Sequence, residues 1–426
     1  MRIVKLTEEQ KIFAVVLRTY DFNTKGFFDT LINFYLYCMR MLSVIFLLSA
    51  FTATAQKVND SFYLARTTGK LTMLSYSNAE DRTGNAKLGY LDTFVLLKIA
   101  DSTKDLYKVQ LSKAHNAYVD KSDVKKDTST RLRSSYLTSS FSVKGDELYD
   151  YVNISLDEKL PYKSWMEINP AKIMLEIYGV QSNTNWLTQL KSVQEIKNVY
   201  FNQVEDDVVR VTIELKHKQH WGYSVYYKNN KLSLRVRHQP AALKVNRLFI
   251  AVDAGHGGSN EGAIGITGKA SEKTYTLRFA NELEKYLKKK GATVLMTRTA
   301  DTNINDIDRV LLLQNTMPDL LLSLHFNSSE NTNIRGASTY YKHIGFRPLS
   351  TAILNRLLQL DLSEFGNVGN FNFTLNAPTD FPNALAEIAF LSNGDDEKNI
   401  VNPKFQRAVS KKIYKGIKDW LKMAKK

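Results

Sequence analysis

The sequence predicts an α/β domain, a mostly parallel sheet with helices on both faces, preceded by two small all-β modules. Three observations carry this expectation. Period-two alternation of apolar and polar residues dominates the first half, strand and helix signatures begin to alternate near residue 246, and 426 residues exceed what one hydrophobic core holds. With 43% hydrophobic and 24% charged residues, and only 20 Gly and 8 Pro, the chain is neither disordered nor collagenous. The single Cys38 excludes a disulfide framework and a cysteine-based zinc ribbon. A formal charge of +15 favours an anionic partner without choosing among nucleic acid, membrane and cell-wall polymer.

Residues 1–55 read as an amino-terminal extension and export signal. The apolar run 41–51 (MLSVIFLLSAF) is about half the length that a bilayer-spanning helix needs. Arg40 precedes it and Ala53-Thr54-Ala55 follows it, which is the order of charge, core and cleavage site in a secretory signal, with the cut before Gln56. Asp29, Asn33 and Arg40 argue against a longer anchor, because burying them in lipid is costly. Residues 1–38 are long for such a signal, and Met39 or Met41 suits a start better. The expectation is an exported chain, periplasmic or associated with the cell envelope, with no stable membrane anchor after cleavage.

Residues 57–125 then read as a small β-barrel, from apolar segments at 94–97, 106–111 and 117–119 separated by Gly, Asn and Asp turns. Residues 127–142, rich in Ser and Thr without hydrophobic period, read as a linker. A β-sandwich follows over 143–240. Val152, Ile154 and Leu156 alternate with polar residues, as do Val209, Val211, Ile213 and Leu215, and then Leu232, Leu234 and Val236. The tetrad 228–231 (KNNK) suits a hairpin turn.

The last region, 246–426, has a different texture. The continuous apolar run 248–252 suits a strand buried on both faces. Leu277, Ala280, Leu283 and Leu287 recur at helical spacing over 272–290, with Ser271 placed to cap the start and Gly291 to end it. Strand 293–297, helix 306–316, strands 320–325 and 337–341, helix 348–362, strand 384–390 and a closing helix from Pro403 complete a βαβ series. In such sheets functional groups gather at the carboxyl ends of strands.

Four polar residues can meet there. The first strand runs into Asp253-Ala254-Gly255-His256-Gly257-Gly258, the next helix opens with Ser271-Glu272-Lys273, a later strand delivers His325, and the apolar stretch 384–391 contains Glu387. Two imidazoles and a carboxylate are a ligand set for catalytic zinc, so His256, Glu272 and His325 are the candidate metal ligands. Glu387 is the candidate catalytic carboxylate, a general base and then an acid. Zinc lowers the pKa of water from about 15.7 towards roughly 7, so hydrolysis of an amide or related acyl bond is the expected chemistry. Each residue also has a plain structural explanation: a buried His is commonly a satisfied core residue, and Glu272 at a helix start is a favourable dipole partner. Glu387 is hardest to explain that way, because an unpaired buried carboxylate costs on the order of several kcal/mol. His343 reads as a surface turn residue, and the other four histidines, in the β regions, fall at no ligand spacing.

The motifs "DAGHGG", "SEK", "TRTAD", "SLHFNS" and "EIAFLSN", in that order, resemble the zinc-dependent N-acetylmuramoyl-L-alanine amidases of bacterial cell walls. The resemblance implies zinc on His256, Glu272 and His325, catalysis by Glu387, and peptidoglycan as substrate, cut between the muramic lactyl group and L-alanine. Pro382-Asn383-Ala384-Leu385-Ala386 and Ala389 depart from the family's usual residues around that Glu, in positions that bear on pocket shape. The stretch "YKVQLSKAHNAYVDKSDV" is similar to bacterial Src-homology-3-like modules, with Ala117 where these carry Gly, and 143–240 resembles the wall-targeting sandwich ahead of some secreted amidases. A zinc peptidase acting within the stem peptide, or a wall-binding protein without activity, are the rival readings. The export signal and the lack of an aromatic-basic motif argue against nucleic acid. An activator protein is compatible with the sequence, which does not identify one.

Overall fold

The computed structural model describes residues 62–69, 71–78, 87–133 and 135–425, so the expected export signal lies outside the described residues. Residues 61–426 form one compact unit. Among the described residues no helix is long and apolar enough to cross a membrane.

The first sheet has seven antiparallel strands, in spatial order Lys87–Leu91, Thr72–Ser75, Asn116–Asp120, Leu106–Gln110, Leu96–Ser102, Tyr63–Thr67 and Val124–Lys126. Leu97, Ile99, Val109, Ala117 and Val119 form its buried side. The next strand, Tyr136–Gly145, corrects the expected linker, whose second half it occupies. Its inward positions Tyr136, Thr138, Phe141 and Val143 are buried. Thr138 is a polar residue facing in, satisfied by Thr184 Oγ1 at 2.8 Å, and a register shift between Thr138 and Phe141 moves the inward set from even to odd positions, which breaks the period-two pattern.

Two sheets face each other over residues 136–237. One is built around Tyr136–Gly145, Tyr149–Leu156, Lys231–Arg237 and Tyr223–Lys228; the other orders Tyr162–Glu167, Lys172–Tyr178, Val208–Leu215 and Ile196–Glu205. Val152, Ile154, Leu232 and Leu234 meet Ile173, Leu175, Val211 and Ile213 in a core shared with the first sheet. Lys228 pairs with Lys231 across a two-residue turn, with Asn229 at φ +55°, as a tight hairpin requires.

The last region is a six-stranded mixed sheet with helices. Its elements are β1 (Phe249–Ala254), α1 (Glu272–Lys289), β2 (Thr293–Met296), α2 (Asp306–Thr316), β3 (Leu320–Asn327), β4 (Ala337–Tyr340), α3 (Arg347–Leu357), β5 (Glu364–Val368), β6 (Asn383–Phe390), α4 (Gly394–Val401) and α5 (Pro403–Met423). The spatial order is β2-β1-β3-β6-β4-β5. All pairings are parallel except that of β4 with β6, which makes the sheet mixed. Ile250, Val252, Leu320 and Leu322 pack with α1, α3 and α5, whereas Ala251 and Leu321 pack with Val310 and Leu313 of α2. Successive residues of β1 and β3 thus enter opposite cores, which is why both strands read as unbroken apolar runs.

Two local readings change. Ser271 stands at the N-cap of α1, but its hydroxyl pairs with Thr274 Oγ1 at 2.8 Å and caps no backbone N–H. Strand β5 (EFGNV) and helix α4 carry too short or too broken a pattern to be read from sequence.

Trp221, just before the hairpin strand Tyr223–Lys228, is buried in the core of the last region, its ring centroid 4.9 Å from that of Trp420 in α5. We expect Trp221→Ala to lower stability by about 3–5 kcal/mol. Urea denaturation checks this, and an unchanged midpoint would mean that the junction adds nothing to cooperative folding.

Candidate metal centre and its cleft

β1 ends in Asp253 and Ala254, and the chain then turns through Gly255-His256-Gly257-Gly258. His256 sits at φ +60°, a conformation that costs a non-glycine residue on the order of 1 kcal/mol. Two buried arginines hold it there. Arg309 of α2 donates to His256 O at 2.6 Å and to Ala254 O at 2.8 Å, and Arg298 donates to Ala254 O and Gly255 O, both at 2.9 Å. A Cβ on Gly255 would overlap the His325 ring, so the close approach of these segments requires glycine.

Arg309 also pairs with the fully buried Asp253 at 2.6 Å. Thr297 Oγ1 donates to the same carboxylate at 2.6 Å and Ser323 Oγ at 2.7 Å. Burial alone would raise the Asp253 carboxyl; the Arg309 guanidinium and the other donors reverse that and hold it below the usual range.

Glu272 opens α1. Its Oε1 lies 3.0 Å from His256 Nε2, 3.0 Å from His325 Nδ1 and 3.0 Å from the Phe326 N–H, while Oε2 accepts from Ala263 N at 2.8 Å. Burial opposes ionisation of Glu272, but the two imidazoles beside it outweigh burial and its pKa is lowered. His325 is pushed the other way, up to about 9: burial lowers it, and the Glu272 carboxylate more than compensates. Asn260 Oδ1 sits 2.9 Å from His256 Nδ1, which sets that nitrogen as the donor and leaves Nε2 for the centre. The three ligand atoms, one from each of His256, Glu272 and His325, lie within 4.8 Å of one another, so this group could hold a metal ion. The donor set suits zinc: two imidazole nitrogens and one carboxylate oxygen, with buried negative charge that a cation would neutralise.

Glu387 stands in β6, where it is the register partner of His325 on β3 and of Ser338 on β4. Its Oε2 is buried with no hydrogen-bond partner among the described residues. Burial pushes this carboxyl up to about 8, a rise that the His325 imidazole limits and Glu272 reinforces. All four residues singled out from the sequence line one cleft of about 1020 Å³, together with Phe373 and Thr374.

His343 is not a free surface residue. It is half-buried and donates from Nε2 to Ala377 O at 2.9 Å, fixing a loop beside the cleft. The other histidines are engaged away from it: His115 with Glu205, His217 with Glu195, His238 with Asp150, and His220 with Glu167 O. Sequence reasoning missed Asp253, Arg298, Arg309 and Lys273. Lys273 bridges Glu261 and Asp301 at 2.6 and 3.1 Å and donates to Gly258 O at 2.8 Å. An acid ending an apolar strand signals Asp253, by the reasoning applied to Glu387; an Arg on a helix with one polar face signals nothing.

Removing Arg309 would strand a buried carboxylate and release the His256 carbonyl. We expect Arg309→Met to cost about 3–5 kcal/mol of stability. Equilibrium denaturation is the check, and a loss under about 1 kcal/mol would show that Asp253 finds another partner.

Comparison with known proteins gives a consistent result. The family profile described as N-acetylmuramoyl-L-alanine amidase matches residues 250–419. The "probable cell wall amidase LytH" of Staphylococcus saprophyticus is 31% identical over 191 residues, 45% of this chain and 64% of that protein, and the protein of the same name from Staphylococcus aureus is 34% identical over 170 residues, 40% and 57%. The chain thus spans less than two thirds of the length of these curated relatives. Among solved structures, the catalytic domain of CwlV, an N-acetylmuramoyl-L-alanine amidase from Bacillus (Paenibacillus) polymyxa, is 30% identical, with 41% of this chain and 98% of that one covered and a TM-score of 0.39. Residues 250–419 thus carry a domain that matches the N-acetylmuramoyl-L-alanine amidase family.

Proposed function

We propose that the last region hydrolyses the amide between the lactyl group of N-acetylmuramic acid and the L-alanine of the stem peptide in peptidoglycan. His256, Glu272 and His325 would hold a zinc ion, and Glu387 would act as general base and acid. The observation that carries this reading is the convergence of three ligand atoms within 4.8 Å beside a buried carboxyl that has an unpartnered oxygen.

A bound zinc ion would polarise the scissile carbonyl and make water available as a nucleophile near neutral pH. The protein's own groups supply the rest. Asn260 orients His256, and the Phe326 and Ala263 N–H groups fix the Glu272 carboxylate. Glu387, raised into the range where it exchanges a proton near neutrality, takes a proton from the attacking water and returns it to the departing alanine nitrogen. The neighbours of Glu387 on β6 are buried, so its carboxyl reaches solvent only through the cleft that would hold the substrate.

The names of the relatives support a cell-wall substrate and an exported, envelope-associated location. Within the same reading, residues 57–125 are a Src-homology-3-like module and 143–240 a wall-targeting sandwich, both holding the enzyme near its polymer through basic surface.

Digestion of purified peptidoglycan with and without a zinc chelator tests the proposal. Fragment masses should show intact stem peptides and free muramic lactyl carboxylates only in the absence of chelator. Cuts between stem-peptide residues would make it a peptidase, and no cuts at all would leave a wall-binding protein. Glu387→Gln should keep its metal and lose about 10² to 10⁴ in kcat, and a rate near wild type removes Glu387 from the chemistry. In His256→Ala the metal content itself should fall, read by elemental analysis; full occupancy would overturn the ligand set.

A further inference from the structure

One wall of the cleft is the segment 369–382, from which Phe373, Thr374 and Leu375 line the cavity. The Phe373 ring lies nearly parallel to His325, at 8° with centroids 6.5 Å apart. The segment has one turn of 3-10 helix, Thr374–Asn376, and no other regular structure, so its position depends on hydrogen bonds from its surroundings.

Some of these come from the same region. Phe371 N bonds Tyr341 O at 3.2 Å, and Lys342 Nζ donates to Asn372 Oδ1 at 2.9 Å. The others come from the two amino-terminal β regions. Tyr223 N bonds Thr379 O at 2.8 Å, Ser224 Oγ bonds Asp380 Oδ1 at 2.5 Å, and Gly222 packs so tightly on Asp380 O that no Cβ would fit. At the end nearer the candidate metal ligands stands Lys87, in strand Lys87–Leu91 of the first sheet. Its Nζ donates to Asn372 O at 2.8 Å and to Thr374 Oγ1 at 3.2 Å, and its carbonyl accepts from Lys342 Nζ at 2.8 Å. Burial disfavours the Lys87 ammonium, and these two oxygens act together with the charge of the Asp306 carboxylate to offset it.

We propose that Lys87 is a positioning residue for substrate binding: reaching across 285 positions of chain, it fixes the Asn372–Thr374 stretch of the cleft wall, so that the first β region shapes the site it precedes. This deepens the amidase reading and rests on it. Lys87 bonds to none of the three candidate ligands nor to Glu387, so it acts on how substrate is held and not on the chemical step. Loss of the two hydrogen bonds that the Lys87 ammonium donates should therefore raise KM for a soluble muropeptide at least about tenfold, with kcat within about twofold and metal content unchanged.

The test uses the full chain with Lys87→Met, which keeps the aliphatic stem, and Lys87→Arg, which keeps a donor. Hydrogen exchange is followed at the Phe371, Asn376 and Ala377 amides, all bonded within or beside the wall. Lys87→Met should speed exchange there at least tenfold and leave β1 and β3 unchanged, with the KM rise alongside; Lys87→Arg should restore much of both. Unchanged exchange, or faster exchange with unchanged KM, overturns the proposal. If Lys87→Met does not fold, Thr374→Val removes one acceptor and should show the same local loss of protection, and its absence overturns the proposal equally. A wild-type protein that cleaves no muropeptide sinks the amidase reading instead, and the exchange measurement still decides whether Lys87 holds the wall.

Discussion

The cleft is organised around one atom, Oε1 of Glu272. Three nitrogens converge on it at 3.0 Å, from the loop after β1, from β3, and from the backbone that follows His325. A buried carboxylate is tolerated only when its charge is met, and the groups that meet it come both from the loop that precedes α1 and from β3, more than 50 residues further along the chain. Bringing them together requires β1 and β3 to be neighbours in parallel register, Ala254 beside Leu324, with α1 starting directly above. The sheet order β2-β1-β3-β6 does this and sets β6, with Glu387, on the other side of β3.

That arrangement forces the chain after β1 into a turn tight enough to put His256 in the left-handed region. The opposing contribution comes from below the site. Asp253 fixes Arg309, and Arg309 with Arg298 draws the carbonyls of residues 254–256 into place. Arg298 also takes Lys273 O and Thr276 Oγ1 as acceptors, joining the loop to the first turn of α1 where Glu272 resides. One ion pair and two guanidinium groups thus connect three of the segments that present candidate ligands, and a change at any of them should be felt at the others.

What could be read from the sequence follows from how far each residue's type departs from its local setting. Glu387 inside an all-apolar strand and His256 among glycines are local anomalies, and both line the cleft. The buried strands of the last region were legible because alternate residues enter two different cores. Strand Tyr136–Gly145 was not, since a register shift between Thr138 and Phe141 changes which alternate positions face inward. Arg309 reads as an ordinary solvent-facing helix residue, although it is 2% exposed. Lys87 and the wall residues Asn372 and Thr374 carry no signal in any window, because their relation is a contact between distant parts of the chain.

Two buried glutamates that line one cleft have opposite surroundings, and the proposed division of labour follows from that. Glu272 faces two imidazole nitrogens, accepts from two backbone N–H groups and is held ionised, as the proposed metal ligand must be. Glu387 has an oxygen with no partner among the described residues, and burial raises its pKa to about 8. A group that must take up a proton and then give it away cannot be saturated with donors, since each donor would lock one protonation state. In the proposed mechanism the apolar residues around Glu387 are therefore part of its chemistry. They withhold the hydrogen bonds that stabilise Glu272, and His325, its register partner on β3, keeps the rise in check so that the ionised form stays within reach near neutral pH.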